Sequence, residues 1–310
     1  MAQIVAVVGV APRRTAGRTP RLAAACLTAV VLMVLPGLGG CAWLDARQHL
    51  LALRPTAGRP VGIAPDAGLR PQDQRYTLPV PEADGNTQHL ALWWMPHADP
   101  HAPAVLYLHG TFRNLYQNLP QIDALRDAGF AVLAVDYRGW GDSTRIVPSE
   151  DTINADAALA FAELVRRAPD ARRRVIFGHS MGGAVAVTLA SGLHHRSDYG
   201  ALVLESTFTR MPDVAAEAGF VGRVAALLTT LEFDSMLRIG RIDAPLLMLH
   251  GGADKTVPIA LGRRLRDAAP AGTQWVEIPG GTHSLLHREA PEAYRQAVQQ
   301  LIQRLEPPTP

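Results

Sequence analysis

The chain has 310 residues, 48% of them hydrophobic and 19% charged, a length that suits one large domain or two small ones and a balance that excludes a disordered chain. Two cysteines exclude a disulfide-framed mini-protein, and a formal net charge of +2 gives no footing for a nucleic-acid partner. The basic excess belongs to the first 40 residues, which hold Arg13, Arg14, Arg18 and Arg21 and no acid, leaving 26 basic against 28 acidic residues beyond them.

Residues 22–35 read LAAACLTAVVLMVL, with Thr28 the one polar member. Fourteen residues fall short of the roughly 20 that a spanning helix needs. A basic flank, a short apolar run and then small residues is the layout of a secretory signal. The run leads into Leu38-Gly39-Gly40-Cys41. This resembles the bacterial lipoprotein signal, which implies removal of residues 1–40 and lipidation of Cys41. Ala42, where retention signals carry Asp, implies sorting to the outer membrane of a bacterial cell envelope. The long stretch before Arg21 departs from that pattern and points to a later translation start. The alternatives are a cleaved signal peptide with an incidental Cys41, or an uncleaved anchor. Residues 53–81 then carry prolines 55, 60, 65, 71, 79 and 81 with Gly58, Gly62 and Gly68, and 41–75 reads as an extended tether leading into the domain.

From about residue 76 strand-like and helix-like segments alternate. Residues 89–95 and 104–108 read as strands, 115–128 as a helix stopped by Gly129, and 130–135 as a strand buried on both faces. Ser149, with Glu150 and Asp151 behind it, opens a helix over 150–168. Strand 175–177, helix 181–194, strand 201–204, strand 245–249, helix 258–269, strand 274–278 and helix 290–305 follow. Alternation of this kind predicts an α/β fold with a parallel sheet covered on both faces. Residues 206–240 break the rhythm with helical patterns alone and read as a small cap.

Gly178-His179-Ser180-Met181-Gly182-Gly183 lies between a predicted strand and a predicted helix. A nucleophilic serine must stand on a tight turn there, and small residues on either side let strand and helix approach. Its hydroxyl needs a base. His283 follows the last predicted strand, at the sheet edge where ligands meet open α/β sheets. His109, His179 and His250 read as buried and hydrogen-bonded, and His194 and His195 as the end of a helix. His287, four residues beyond His283, lacks further ligands at metal spacing. Asp254, after strand 245–249, reads as the acid that orients the base, with Glu205 as the alternative. The oxyanion expects two backbone donors, Met181 beside the serine and Thr111 after Gly110.

Six segments carry a family resemblance: His109-Gly110-Thr111, Asp136-Tyr137-Arg138-Gly139-Trp140-Gly141-Asp142-Ser143, the segment around Ser180, Glu205-Ser206-Thr207-Phe208-Thr209, His250-Gly251-Gly252-Ala253-Asp254 with Val257-Pro258, and Gly281-Thr282-His283. Together they resemble the α/β-hydrolases of the serine aminopeptidase S33-like group, close to the Bem46-like branch. The resemblance implies an eight-stranded, mostly parallel sheet over 76–310, a Ser180–His283–Asp254 triad and no cofactor. Thr111 departs from the Asn common after His-Gly in that branch. The expected activity is cleavage of a small carboxylic ester or thioester through an acyl-enzyme. An aminopeptidase, anchoring an amine on Glu205, Glu217, Glu232 or Asp234, is one alternative. A lipid-anchored binding protein is another. The cap residues Phe208, Met211, Phe220, Val224, Leu227, Leu228, Leu231 and Phe233 are expected either to line an acyl pocket or to pack the cap onto the body.

Overall fold

Val, Leu and Ala runs without alternation bury both faces of a strand, and here they become the middle of one sheet. The computed structural model describes residues 37–64 and 66–305. The apolar run 22–35 lies outside them, and of Cys41 only the backbone is described. Two compact units divide the chain, Met1–Ala46 and Arg47–Pro310. The described part of the first is the opening of helix α1 (Gly37–Leu53), which takes in the Gly39-Gly40-Cys41 backbone. No helix among the described residues is long and apolar enough to cross a membrane.

The second unit is built on β1 (Gln74–Pro81), β2 (Thr87–Met95), β3 (Ala104–Leu108), β4 (Ala131–Asp136), β5 (Arg174–His179), β6 (Ala201–Glu205), β7 (Leu246–Gly251) and β8 (Gln274–Ile278). Their order is β1-β2-β4-β3-β5-β6-β7-β8. The first two pairings are antiparallel and the other five parallel, the mostly parallel eight-stranded sheet expected. Side chains alternate across it. Leu106, Leu133 and Ile176 meet α3 (Glu150–Arg167), α4 (Met181–Ala190) and α7 (Ile259–Ala268) on one face. Val105, Val132 and Val175 meet α2 (Leu115–Ala128) and α9 (Pro291–Arg304), which follows the short α8 (Leu286–Glu289), on the other. Each fully buried side chain of this size contributes about 1.5–3 kcal/mol.

Three elements differ from the sequence reading. β1 was hidden by its prolines; Pro79 and Pro81 are tolerated because β1 is an edge strand. Helix α4 stops at Ala190 rather than 194, because the turn beyond it is held by carboxylates: Asp198 accepts from the His194 amide and Asp243 from the His195 amide. Residues 54–58, read as part of a free tether, are tied to the body. The Gly58 amide donates to Gly141, the Gly141 amide to Thr56, and Asn114 Nδ2 to the carbonyls of Thr56 (3.1 Å) and Gly58 (2.7 Å).

The cap is two short helices, α5 (Met211–Glu217) and α6 (Gly219–Leu228), inserted between β6 and β7. Phe208, Leu231 and Phe233 are buried in the core and Met211 packs against it, whereas Phe220, Val224, Leu227 and Leu228 on α6 are exposed.

One buried ion pair braces β4 to α3. Arg138 donates to Asp156 from Nε and from its amide, both at 2.8 Å, and reaches Gln88 at 2.8 Å and Glu82. Asp156→Ala leaves the buried Arg138 Nε and amide unpaired and is expected to cost about 3 kcal/mol in urea denaturation, whereas Arg138→Leu with Asp156→Leu costs less than either change alone. A double variant as destabilised as the sum of the singles would contradict this.

Candidate active site

β5 runs out at His179 and α4 begins at Met181, so a single residue, Ser180, makes the corner. Its backbone takes φ +56° and ψ −121°, where a side chain is strained. Such strain costs roughly 1–3 kcal/mol and persists only when neighbours impose it. They do so here with three hydrogen bonds at 2.9 Å: Ser180 amide to the Glu205 carbonyl, Gly183 amide to the Ser180 carbonyl, and Thr207 Oγ1 to the Ser180 carbonyl. The glycines supply room. A Cβ on Gly178 would lie 2.2 Å from the Gly182 carbonyl, and one on Gly182 2.1 Å from that of Leu108.

His283 lies in the loop after β8, and its ring meets the corner. Nε2 is 2.9 Å from Ser180 Oγ, and Nδ1 is 2.7 Å from Asp254 Oδ2. Asp254 follows β7 with its carboxylate shielded from solvent. Its Oδ1 accepts the Thr256 and Val257 amides at 2.9 and 2.8 Å. Burial pushes this carboxyl up, but the nearby His250 ring (Nε2 at 3.5 Å from Oδ2), the His283 hydrogen bond and the Val257 amide outweigh it and hold it well below the usual range. An ionised Asp254 accepts a hydrogen bond from Nδ1–H, which leaves the Nε2 lone pair facing the serine hydroxyl.

The other histidines are scaffolding. His250 Nε2 donates to the Val257 carbonyl at 2.9 Å. His179 Nε2 donates to the His283 carbonyl at 3.0 Å and so holds the loop that carries the base. Burial, then the adjacent His283 charge, push His179 down to about 3, so it stays neutral. His287 is buried against Tyr294, and no group of residues among those described has the makings of a metal site. Glu205 is buried too. Its carboxylate accepts from Gln121 Nε2 of α2 (2.7 Å) and Tyr294 of α9 (3.0 Å), and burial pushes it up to about 7.

Met181 is the first residue of α4, so its amide is one of those a helix start leaves unused. Thr111 lies across from it. Gly110 passes so close to the corner that a Cβ there would lie 2.9 Å from Ser180 Cβ. The Thr111 amide has no acceptor among the described residues, whereas the next amide, Phe112, donates to the Leu53 carbonyl. Sequence reasoning missed this buttress: Leu53, Thr56 and Asn114 hold the 110–114 loop from behind, and only Asn114, a capping residue type ahead of a helix, left a trace in the sequence.

A cleft of about 590 Å³ opens over the corner, lined by Gly110, Thr111, Arg113, Ser180, Lys255 and His283 among others. None of the eight cap residues named above lines it. A larger hollow of about 740 Å³ lies at the opposite ends of the strands, beside Ala104, Ala131 and Arg173, and holds no nucleophile paired with a base.

The family model for serine aminopeptidase, S33, matches residues 99–233. An uncharacterized protein of Mycobacterium tuberculosis is 33% identical over 260 residues, covering 83% of this chain and 88% of its own length. The lysophosphatidylserine lipase ABHD12 of Rattus norvegicus is 33% identical over 227 residues, covering 66% of this chain; the match spans 56% of the lipase. Among solved structures, a Pyrococcus furiosus esterase superposes with a TM-score of 0.62 at 18% identity, covering 81% of this chain and 97% of that one.

A carboxylate held below its unfolded value adds stability that is present above that value and is lost as pH falls beneath it. Asp254→Asn is therefore expected to be less stable than the wild type at neutral pH, and the gap in denaturation midpoint to narrow below pH about 4. An equal gap at acid and neutral pH would count against an ionised Asp254.

Proposed function

We propose that this chain, an α/β-hydrolase by fold whose residues 99–233 match the serine aminopeptidase S33 model, is a serine hydrolase that cleaves a carboxylic ester, or the related thioester, through an acyl-enzyme. The supporting observation is the unbroken series of contacts from Ser180 Oγ through His283 to Asp254. Ser180 Oγ attacks the acyl carbon as its proton passes to His283 Nε2. The carbonyl oxygen, now an oxyanion, meets the Met181 and Thr111 amides. Collapse breaks the bond to the leaving alcohol, which takes the proton from His283. Water then repeats the cycle, freeing the acid and restoring the serine. Asp254 keeps the imidazole in the working tautomer and steadies its charged form. No cofactor enters these steps.

The cleft argues for an ester over an aminopeptidase substrate. None of Glu205, Glu217, Glu232 and Asp234 lines it, so no carboxylate from that set is at hand for a free amine. Its charged lining residues are Arg113 and Lys255, neither in a side-chain ion pair among the described residues. Two open cations suit an ester that carries an anionic group, in keeping with the name of the lipase relatives.

Activity profiling tests this. The protein is expected to react with a fluorophosphonate and hydrolyse p-nitrophenyl acyl esters, with no turnover of aminoacyl anilides. Ser180→Ala is expected to abolish labelling and to lower kcat by about 10⁶-fold, the scale of nucleophile loss in such triads. Anilide turnover without ester turnover would favour the peptidase; no labelling at all would favour a binding protein.

We also propose that Cys41 carries the lipid anchor and places the enzyme in the bacterial envelope, on the strength of the Leu38–Cys41 sequence. Metabolic labelling with palmitate is expected in the wild type and not in Cys41→Ser; equal labelling of both would refute the anchor.

A further inference from the structure

Beneath the loop that offers the Thr111 amide lies a buried pair that acyl transfer does not use. His109 follows the last residue of β3 and Asp136 ends β4, and both are fully buried. His109 Nδ1 is 2.6 Å from the Gly110 carbonyl oxygen. A carbonyl only accepts, so Nδ1 carries the proton. On the far side of the ring, Nε2 has no hydrogen-bond partner and lies 3.5 Å from Asp136 Oδ1. That oxygen accepts the Leu115 amide at 2.9 Å, and Asp136 Oδ2 has no partner. Tyr137 and Trp140 pack on the imidazole, with ring centroids 4.5 and 5.6 Å away, and close it off from solvent.

Proton counting decides what the pair does. A neutral imidazole protonated on Nδ1 presents a bare acceptor at Nε2. An ionised carboxylate would set acceptor against acceptor in a dry interior, at the cost that unsatisfied buried groups carry. A protonated carboxyl turns the same contact into a donor–acceptor pair after a small shift. Burial drives both groups that way: it pushes Asp136 up to about 8 and His109 down to about 4. The charged groups that reach Asp136, Asp142 raising it and Arg75 lowering it, weigh less than burial.

The consequence falls on the oxyanion donor. The Gly110–Thr111 peptide is trans, so its C=O and N–H point in opposite directions. Holding the carbonyl against His109 turns the Thr111 N–H away from the interior, on the side where Gly110 abuts Ser180 and Thr111 lines the cleft. We propose that Asp136 keeps its proton and through it donates a hydrogen bond to His109 Nε2, fixing the Nδ1–H tautomer that clamps the Gly110 carbonyl and aims the Thr111 amide at the oxyanion. His109 and Asp136 are then positioning residues, a neutral counterpart of the His283–Asp254 pair across the corner.

The rate readout rests on the ester-hydrolase reading, while the tautomer readout does not. ¹⁵N NMR of the wild-type protein, with His109 assigned through His109→Asn, is expected to show His109 neutral and protonated on Nδ1 at pH 7. A charged ring, or a proton on Nε2, overturns the proposal whatever the enzyme's substrate. In kinetics, His109→Leu and Asp136→Leu are expected to lose about 10²-fold in kcat with KM little changed, the scale of one oxyanion donor. Asn at 109 can place an N–H near the Nδ1 position, and Asn at 136 offers both the acceptor for Leu115 and a donor for Nε2. Both Asn variants are therefore expected to keep most of the wild-type kcat. Asp136→Asn falling as far as Asp136→Leu would mean that the working pair is ionised, and an unchanged kcat in folded His109→Leu would mean that the clamp does nothing. Should the leucine variants fail to fold, the NMR measurement decides.

Discussion

Everything at the active edge depends on one strained residue. Ser180 turns the chain from β5 into α4 in a backbone conformation that serine avoids, and the cost is met by three hydrogen bonds to its peptide groups and by glycines that let β3, β5 and α4 come within van der Waals contact. This is a constraint on backbones before it is one on side chains. The corner lifts the hydroxyl clear of the sheet, leaves the Met181 amide unused at a helix start, and brings Gly110 against the serine. The exposed hydroxyl and the unused amide beside it are consequences of the same close approach.

Around that corner the fold keeps charge where chemistry needs it and suppresses it elsewhere. Four histidines and three carboxyl groups are buried near the active edge, yet the carboxyl groups do not share one state. Asp254 is stabilised as an anion by amides and imidazoles. Glu205 and Asp136, with fewer donors, are pushed toward the neutral acid by burial. His179 is kept uncharged and serves as a fixed donor to the loop that carries His283. Donor count, rather than residue type, separates the ionised Asp254 from its buried neighbours.

The apolar residues of the 206–240 insert divide between the core and the exposed face of α6, and the cleft is shaped instead by the 110–113 loop and the turns after β7 and β8. Cleft polarity is therefore set by Arg113 and Lys255. Arginines elsewhere, such as Arg126, Arg138 and Arg263, are matched by carboxylates, while these two cations beside Ser180 have no side-chain ion pair among the described residues.

Much of this was legible before any coordinates. Long apolar runs with helices between them dictate a parallel sheet, since a strand covered on both faces has no polar side to show. The glycines around Ser180 announce a corner, because only a backbone needing close approach calls for them. Asp254 and His283 were readable as residues at the ends of strands. Proline masked β1, since an edge strand obeys looser rules than its sequence suggests. The fate of the cap residues, the tie between residues 54–58 and the oxyanion loop, and the pairing of His109 with Asp136 were decided by tertiary structure alone. Each is a contact between segments far apart in the chain, and local periodicity carries no information about which distant carbonyl or carboxyl a buried donor will find.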